Sequence, residues 1–374
     1  MTATTVKTNP SGPVDDSLRH LIIRWVLTPV TVTLVLVTVT AAALALAGRP
    51  IPMAIQLIPF AISIVVFGLP HGALDHLVPA RLRPGTRTWQ SIAVIVITYL
   101  VVGGATAAIW ALNPLCGFAL FLLLTWFHWG QGDLYIDHFF GNAAPTRIGS
   151  GITVALRGAL PMLVPLACHP ASYANVINQT ARSTGTDHAL VLGALTSPGI
   201  RICAGIVVLV LALASTFILH RSHQPLRRHI SEMIVLIAFF AVVPPVLAVG
   251  LYFTLWHSVR HILRLELTDQ DSHRDLQKGL LLRPLARFLR QAWPITVIAI
   301  GLLVGLAATL RTMNLGTYLV LIAVLTSPHA AVVTWMDRQQ YVTTRIRRER
   351  KEIGSTCAEK ADPAAPSGCL QSTL

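Results

Sequence analysis

Apolar runs of roughly 18–25 residues, each able to cross a hydrocarbon core of about 30 Å, recur along most of this 374-residue chain. In lipid every backbone N–H and C=O needs an internal partner, so runs of this kind fold as helices packed into a bundle. Composition agrees, with 53% hydrophobic and only 12% charged residues, against about 25% charged in soluble domains. A soluble multidomain enzyme, a disordered protein and a disulfide-rich secreted module are all excluded. The expected fold is an all-α, polytopic transmembrane helical bundle.

The chain divides into a polar N-terminal arm (1–20), a bundle (21–337) and a basic tail (338–374) rich in Ala, Ser, Pro and Lys and expected to be disordered. The run beginning near Leu21 is too long for a signal-peptide core and reads as an uncleaved first span. Ten spans are expected, near 21–48, 52–77, 91–112, 115–137, 151–168, 199–219, 230–243, 246–264, 293–310 and 316–337. Pro244-Pro245 marks either a tight turn between two of them or a kink in one long helix.

The cations give sidedness. Lys+Arg number 29 against 16 Asp+Glu, for a net charge of +13, a balance that in a soluble protein would point to nucleic acid. Here the basic residues concentrate in alternate connections and the tail. With the N-terminus inside, the inner segments hold Arg81, Arg83, Arg87, Arg147, Arg221, Arg227, Arg228, Arg283, Arg287 and Arg290, while the outer ones hold little beyond Arg49, Arg182, Arg201 and Arg311. The positive-inside rule therefore expects both termini in the cytoplasm and a multi-pass protein of the cell membrane, and no nucleic-acid partner is needed. The inner segment 265–292 is expected to contain an amphipathic interfacial helix, with Leu276, Leu280, Leu281, Leu285, Phe288 and Leu289 among basic residues.

An ionisable group at mid-membrane costs roughly 2.5–3.5 kcal/mol on insertion scales. Of the 14 histidines, eight fall in loops or at interfaces. The rest lie in four motifs: FGLPHGALDH (Phe67 to His76), TWFHWGQGD (Thr125 to Asp133), LWHSVRHILR (Leu255 to Arg264) and TSPHAAVVTWMD (Thr326 to Asp337). In the ten-span topology all four occupy the inner halves of helices running in the same direction. Four motifs at one depth can meet at one centre.

His257 and His261, spaced i and i+4, project from one helix face. With His71 and His128 they make a set of imidazoles able to hold a metal. The five cysteines (Cys116, Cys168, Cys203, Cys357 and Cys369) are scattered without a CxxC pair, so neither a disulfide framework nor a thiolate site is legible. The missing thiolate argues against structural zinc, and imidazole alone suits Fe, Cu, Zn or Ni. Asp75 and Asp133 follow His71 and His128 closely enough to orient them through the far ring nitrogen. His329 reads equally as a fifth imidazole, a substrate-side residue or a polar helix–helix contact. Trp126, Trp129 and Trp256 adjoin the histidines and are candidate walls for an apolar ligand, and Arg264 is expected to snorkel to the inner interface. Gly68, Gly72, Gly130 and Gly132 permit close helix approach.

No HExxH, GxSxG elbow, P-loop or dinucleotide fingerprint is present. Di-iron membrane desaturases need about eight histidines in cytosolic clusters, whereas this chain has one HxxxH, and a mononuclear centre fits better. A redox metal with open positions for dioxygen, buried in lipid among aromatics, implies a reaction on a lipid-soluble molecule.

FGLPHGALDH, WFHWGQGD, WHSVRH and the later SPH together resemble the Brp/Blh (bacteriorhodopsin-related-protein-like) family of membrane β-carotene 15,15′-dioxygenases, over roughly residues 55–337. The resemblance implies cleavage of β-carotene, or a related carotenoid, by dioxygen at its central double bond to two all-trans-retinal. It implies Fe(2+) held by His71, His128, His257 and His261, and a rhodopsin-type retinal acceptor as a downstream partner. Two other readings use the same features: a multispan metal-ion transporter, and a membrane protein that binds carotenoid or retinal without reaction. The transporter would need a polar path through the outer leaflet, where ionisable residues are nearly absent, and the binder leaves the depth-matched histidines unexplained.

Overall fold

The computed structural model describes residues 16–62, 66, 68–83, 85–175, 197–310 and 319–340. The arm up to residue 15, most of the 169–198 loop and the tail after residue 340 lie outside the described residues. Among the described residues every regular element is helical. α1 runs Asp16–Leu46 and α2 Met53–Ile62. α3 (Leu69–Ala73), a 3-10 turn (Asp75–Leu77) and α4 (Val78–Leu82) follow. α5 is Thr88–Leu112, α6 Pro114–Phe139, α7 Arg147–Cys168 and α8 Pro198–Arg221. α9 is Leu226–Val242, α10 Pro245–Thr268, α11 Gln270–Gln277, α12 Leu282–Leu310 and α13 Leu319–Gln340.

Six of these (α1, α5, α7, α8, α10 and α13) are long and apolar enough to cross a membrane. The other four expected spans fall on the segment from α2 to α4, on α6, on α9 and on α12. α6 has 26 residues and the necessary length, but its C-terminal half carries His128, Gln131 and Asp133. The segment expected as one span over 52–77 contains Pro59 and Pro70, and past Ala73 its α-helical pattern gives way to the 3-10 turn at Asp75. Pro244-Pro245 is a turn: α9 stops at Val242, Val243 and Pro244 are extended, and Pro245 opens α10. The expected interfacial helix over 265–292 is instead α11 and the first turns of α12, separated by a bend where Gly279 takes φ +79°.

Helix starts follow local chemistry. Asn113 accepts a hydrogen bond from Cys116 N–H at 3.1 Å and Pro114 opens α6. Thr146 caps α7 through Gly149 N–H at 3.1 Å, and Ser197 with Pro198 opens α8. Each side chain satisfies one of the amides a helix start leaves unpaired, and proline there forfeits nothing.

The helices sort into a wall and a centre. About 61% of the apolar window of α10 is buried, against 17% for α1 and for α5. The peripheral helices expose Trp25, Leu36, Leu100, Val101, Ile202 and Leu213, apolar side chains that lipid solvates and water does not. In the centre α6 and α7 meet backbone to backbone. A Cβ on Gly130 would stand 2.1 Å from Val154 O, and one on Gly158 2.0 Å from Trp126 O. Trp126 then donates Nε1–H to Ala155 O at 2.7 Å. On the other flank Gly250 of α10 lies against α2, where a Cβ would come within 2.7 Å of Phe60 Cα. Small residues at such crossings admit the close dispersion contacts that hold helices together in lipid.

Candidate metal centre

His128 leaves α6, His257 and His261 leave α10, and His329 leaves α13; all four are buried. Ring centroids lie 4.9 Å apart for His128–His257, 6.4 Å for His128–His261 and 6.3 Å for His257–His261. His329 stands 5.0 Å from His128 and 5.0 Å from His261. His71 belongs to α3, and its side chain lies outside the described residues. His257 sits inside a π-helical turn, Tyr252–Ser258, that widens α10, a local irregularity common at functional sites. Gly132, four residues past His128, faces the His257 ring, which a Cβ would meet at 3.6 Å.

Two imidazoles bound to one ion at about 2.1 Å keep ring centres roughly 4.5–6.5 Å apart, depending on the angle between them. The five separations fall in that range. Among the described residues no group of three or more His, Cys, Asp or Glu side chains is arranged to hold a metal ion. The rings are neighbours pair by pair, and the side chain of His71 lies outside the described residues. Among the described residues the cysteines, Cys116, Cys168 and Cys203, are exposed, and the donors grouped here are imidazole nitrogens. Neutral imidazoles of this kind fit a borderline divalent transition metal and not a hard cation.

The expected partner of Asp75, the His71 side chain, lies outside the described residues; Asp75 Oδ2 accepts His329 Nδ1–H at 2.9 Å and Tyr99 O–H at 2.8 Å. Asp133 was assigned to His128; it accepts Trp256 Nε1–H at 3.0 and 3.1 Å and pairs with Arg260 at 3.3 Å. For Asp133 the reason is helix phase: it leaves α6 toward α10, on another side of the helix from His128. Of the three tryptophans, Trp129 adjoins a ligand candidate, 6.0 Å from His257, with Tyr252 and Phe253 beside it. Trp126 is bonded to α7, and Trp256 is fully buried with the Arg260 guanidinium 3.4 Å over its ring. Arg264 does not snorkel: it is 1% exposed, bonded to Asp337 and Gln340, and stacked on Tyr135.

Asp133 is one member of a buried ionic cluster that the sequence reading overlooked. Arg157 of α7 pairs with Glu232 of α9 at 2.9 Å and approaches Asp137 at 3.8 Å and Asp133 at 4.0 Å. Glu232 also takes Arg260 at 3.2 Å and Arg228 at 2.9 Å. A signal was available: Arg157 and Glu232 are ionisable residues within apolar runs, and such residues are expensive enough to demand partners. The cluster joins α6, α7, α9 and α10, the first and last of which carry His128, His257 and His261.

Fold and site together define a polytopic helical membrane protein with a histidine-lined centre. It belongs to the β-carotene 15,15′-dioxygenase family, whose model matches residues 62–337. The chain is 43% identical over 298 residues to "Probable beta-carotene 15,15'-dioxygenase Blh" of Halobacterium salinarum, covering 76% of this chain and 85% of that one. It is 26% identical over 323 residues to "Probable beta-carotene 15,15'-dioxygenase Brp" of the same species, covering 78% and 86%. A "Beta-carotene 15,15'-dioxygenase" from an uncultured marine bacterium shares 31% identity over 116 residues, 30% of this chain and 40% of its own. No solved structure matches the chain.

Proposed function

We propose that the protein is an iron-dependent membrane dioxygenase that cleaves β-carotene at the 15,15′ double bond, giving two all-trans-retinal. The observation that carries this reading is the convergence of buried imidazoles from α6, α10 and α13 in a chain of this family. Both atoms of dioxygen end in the two aldehydes, so the reaction needs no reductant. His71, His128, His257 and His261 would hold Fe(2+), which when bound supplies the activation of dioxygen.

The chain's own residues do the rest. Trp129, Tyr252 and Phe253 form an aromatic flank beside His257, and they are the wall proposed for the polyene. Asp75 holds an imidazole by its Nδ1, fixing the tautomer. Asp133, through Trp256 and Arg260, sets the rotation of α10 relative to α6. Ten spans with both termini in the cytoplasm would place this centre in the inner half of the cell membrane, where a retinal product can pass through lipid to a rhodopsin-type acceptor.

Expression in a β-carotene-accumulating bacterium should bleach the cells and yield retinal. Chelation of the purified protein should abolish cleavage, and Fe(2+) should restore it. Persistent orange colour with correctly inserted protein would overturn the assignment.

A further inference from the structure

We infer that His329 is an additional imidazole ligand of the proposed metal centre, held in position for it by Asp75 and Tyr99. This inference rests on the iron reading above and adds to its ligand set. The first support is placement. The His329 ring is equidistant, at 5.0 Å, from His128 and His261, which leave two different helices. A polar contact that merely joined α13 to the 3-10 turn at Asp75 would not need to bring the ring this near to both of those imidazoles.

The second support is orientation. His329 engages Asp75 Oδ2 through Nδ1 at 2.9 Å, so Nε2 is the nitrogen that would bind a metal. Imidazole ligands are commonly oriented this way, with a carboxylate on the distal nitrogen raising their basicity. Asp75 is in turn fixed by Tyr99 O–H at 2.8 Å on the same oxygen. Tyr99 opens the π-helical turn Tyr99–Gly103 of α5, so a second such turn underlies this relay. The fit is close: a Cβ on Gly72, the neighbour of His71, would touch both His329 Nδ1 and Tyr99 OH at 3.7 Å.

The third support is charge. Asp75 and His329 are 2% and 4% exposed. Among the described residues Asp75 meets Tyr99 and His329 but no guanidinium, unlike Asp133 with its arginines. A buried carboxylate without a full positive charge nearby is costly, and a divalent ion across the imidazole supplies one. Asp75 and Tyr99 are therefore positioning residues that act on the metal through His329.

The test uses the full-length protein in detergent, loaded anaerobically with Fe(2+). Iron affinity is measured by competition with a chelator, and the count of imidazole scatterers by X-ray absorption. His329→Ala is expected to lose one imidazole from the spectrum and to bind iron about 10- to 100-fold more weakly, with partial rescue by free imidazole. Asp75→Asn should weaken iron binding about 10-fold with a changed spectrum, and Tyr99→Phe by a few-fold. Should His329→Ala fail to fold, Asp75→Asn decides: wild-type iron affinity and spectrum in that variant would overturn the inference. A folded His329→Ala protein with an unchanged imidazole count would overturn it and leave the iron reading standing. A wild-type protein that retains no iron would overturn both.

Discussion

Two groups of ionisable side chains share the centre of this bundle, and helices α6 and α10 contribute to both. One is made of imidazoles alone: His128, His257, His261 and His329. The other mixes Arg157, Arg228 and Arg260 with Asp133, Asp137 and Glu232. The ionic cluster balances its own formal charge across four helices. The imidazoles come from three helices and meet ring against ring, with the Asp75 carboxylate on His329. One group is held by opposite charges and the other mainly by ring contacts, so they differ in how much of their cohesion is charge pairing.

Substitutions that strike one group and spare the other separate these roles. His257→Ala should have the largest effect, a fall of about 1,000-fold or more in retinal formed, equivalent to roughly 4 kcal/mol of barrier. The folded yield should stay near wild type, because the ionic cluster is untouched. Size-exclusion yield and chromatographic retinal read the two quantities together, and a large loss of yield would erase the distinction. Arg157→Leu should invert the pattern. It takes from Asp137 its ion-pair partner and from Glu232 its shortest bond to α7, at about 3–5 kcal/mol, seen as a lowered unfolding midpoint in detergent. Gly158→Ala places a methyl on the Trp126 carbonyl and should cost about 3 kcal/mol by forcing α6 from α7. Trp256→Phe removes the bond to Asp133 and should cost about 2 kcal/mol, with a larger fractional loss of turnover than of yield. Arg274→Ala breaks an exposed pair with Asp271 and should move the midpoint by less than about 0.5 kcal/mol. A larger shift there would mean that peripheral charge contributes more than the central cluster implies.

Much of this was open to reading along the chain. The caps at Asn113, Thr146 and Ser197 and the break at Pro244-Pro245 stand where local chemistry puts them. The i, i+4 pair His257 and His261 needs only helical periodicity to share a face. What escaped was pairing across helices. Asp75 and His329 are 254 positions apart, and Arg157 and Glu232 are 75 apart. Spacing along one helix gave Asp75 and Asp133 the nearest histidine on their own segment. Their partners depend on how each helix is rotated about its axis, which the glycine contacts and the π turns set only in the packed bundle. The ten expected spans were similarly an inference from apolar length. α6 satisfies the length but not the apolarity, because its C-terminal half belongs to the site.

The widened turn at Tyr252–Ser258 makes α10 two rods joined by a swivel. The N-terminal rod is seated by shape, with Gly250 pressed on Phe60; the C-terminal one is seated by charge, with Arg260 and Arg264 gripping α6, α9 and α13. A continuous α-helix would force one rotation to satisfy both seats. The wide turn carries His257 itself, and it lets the rod bearing His261 take its own rotation while the rod before it stays seated on Phe60.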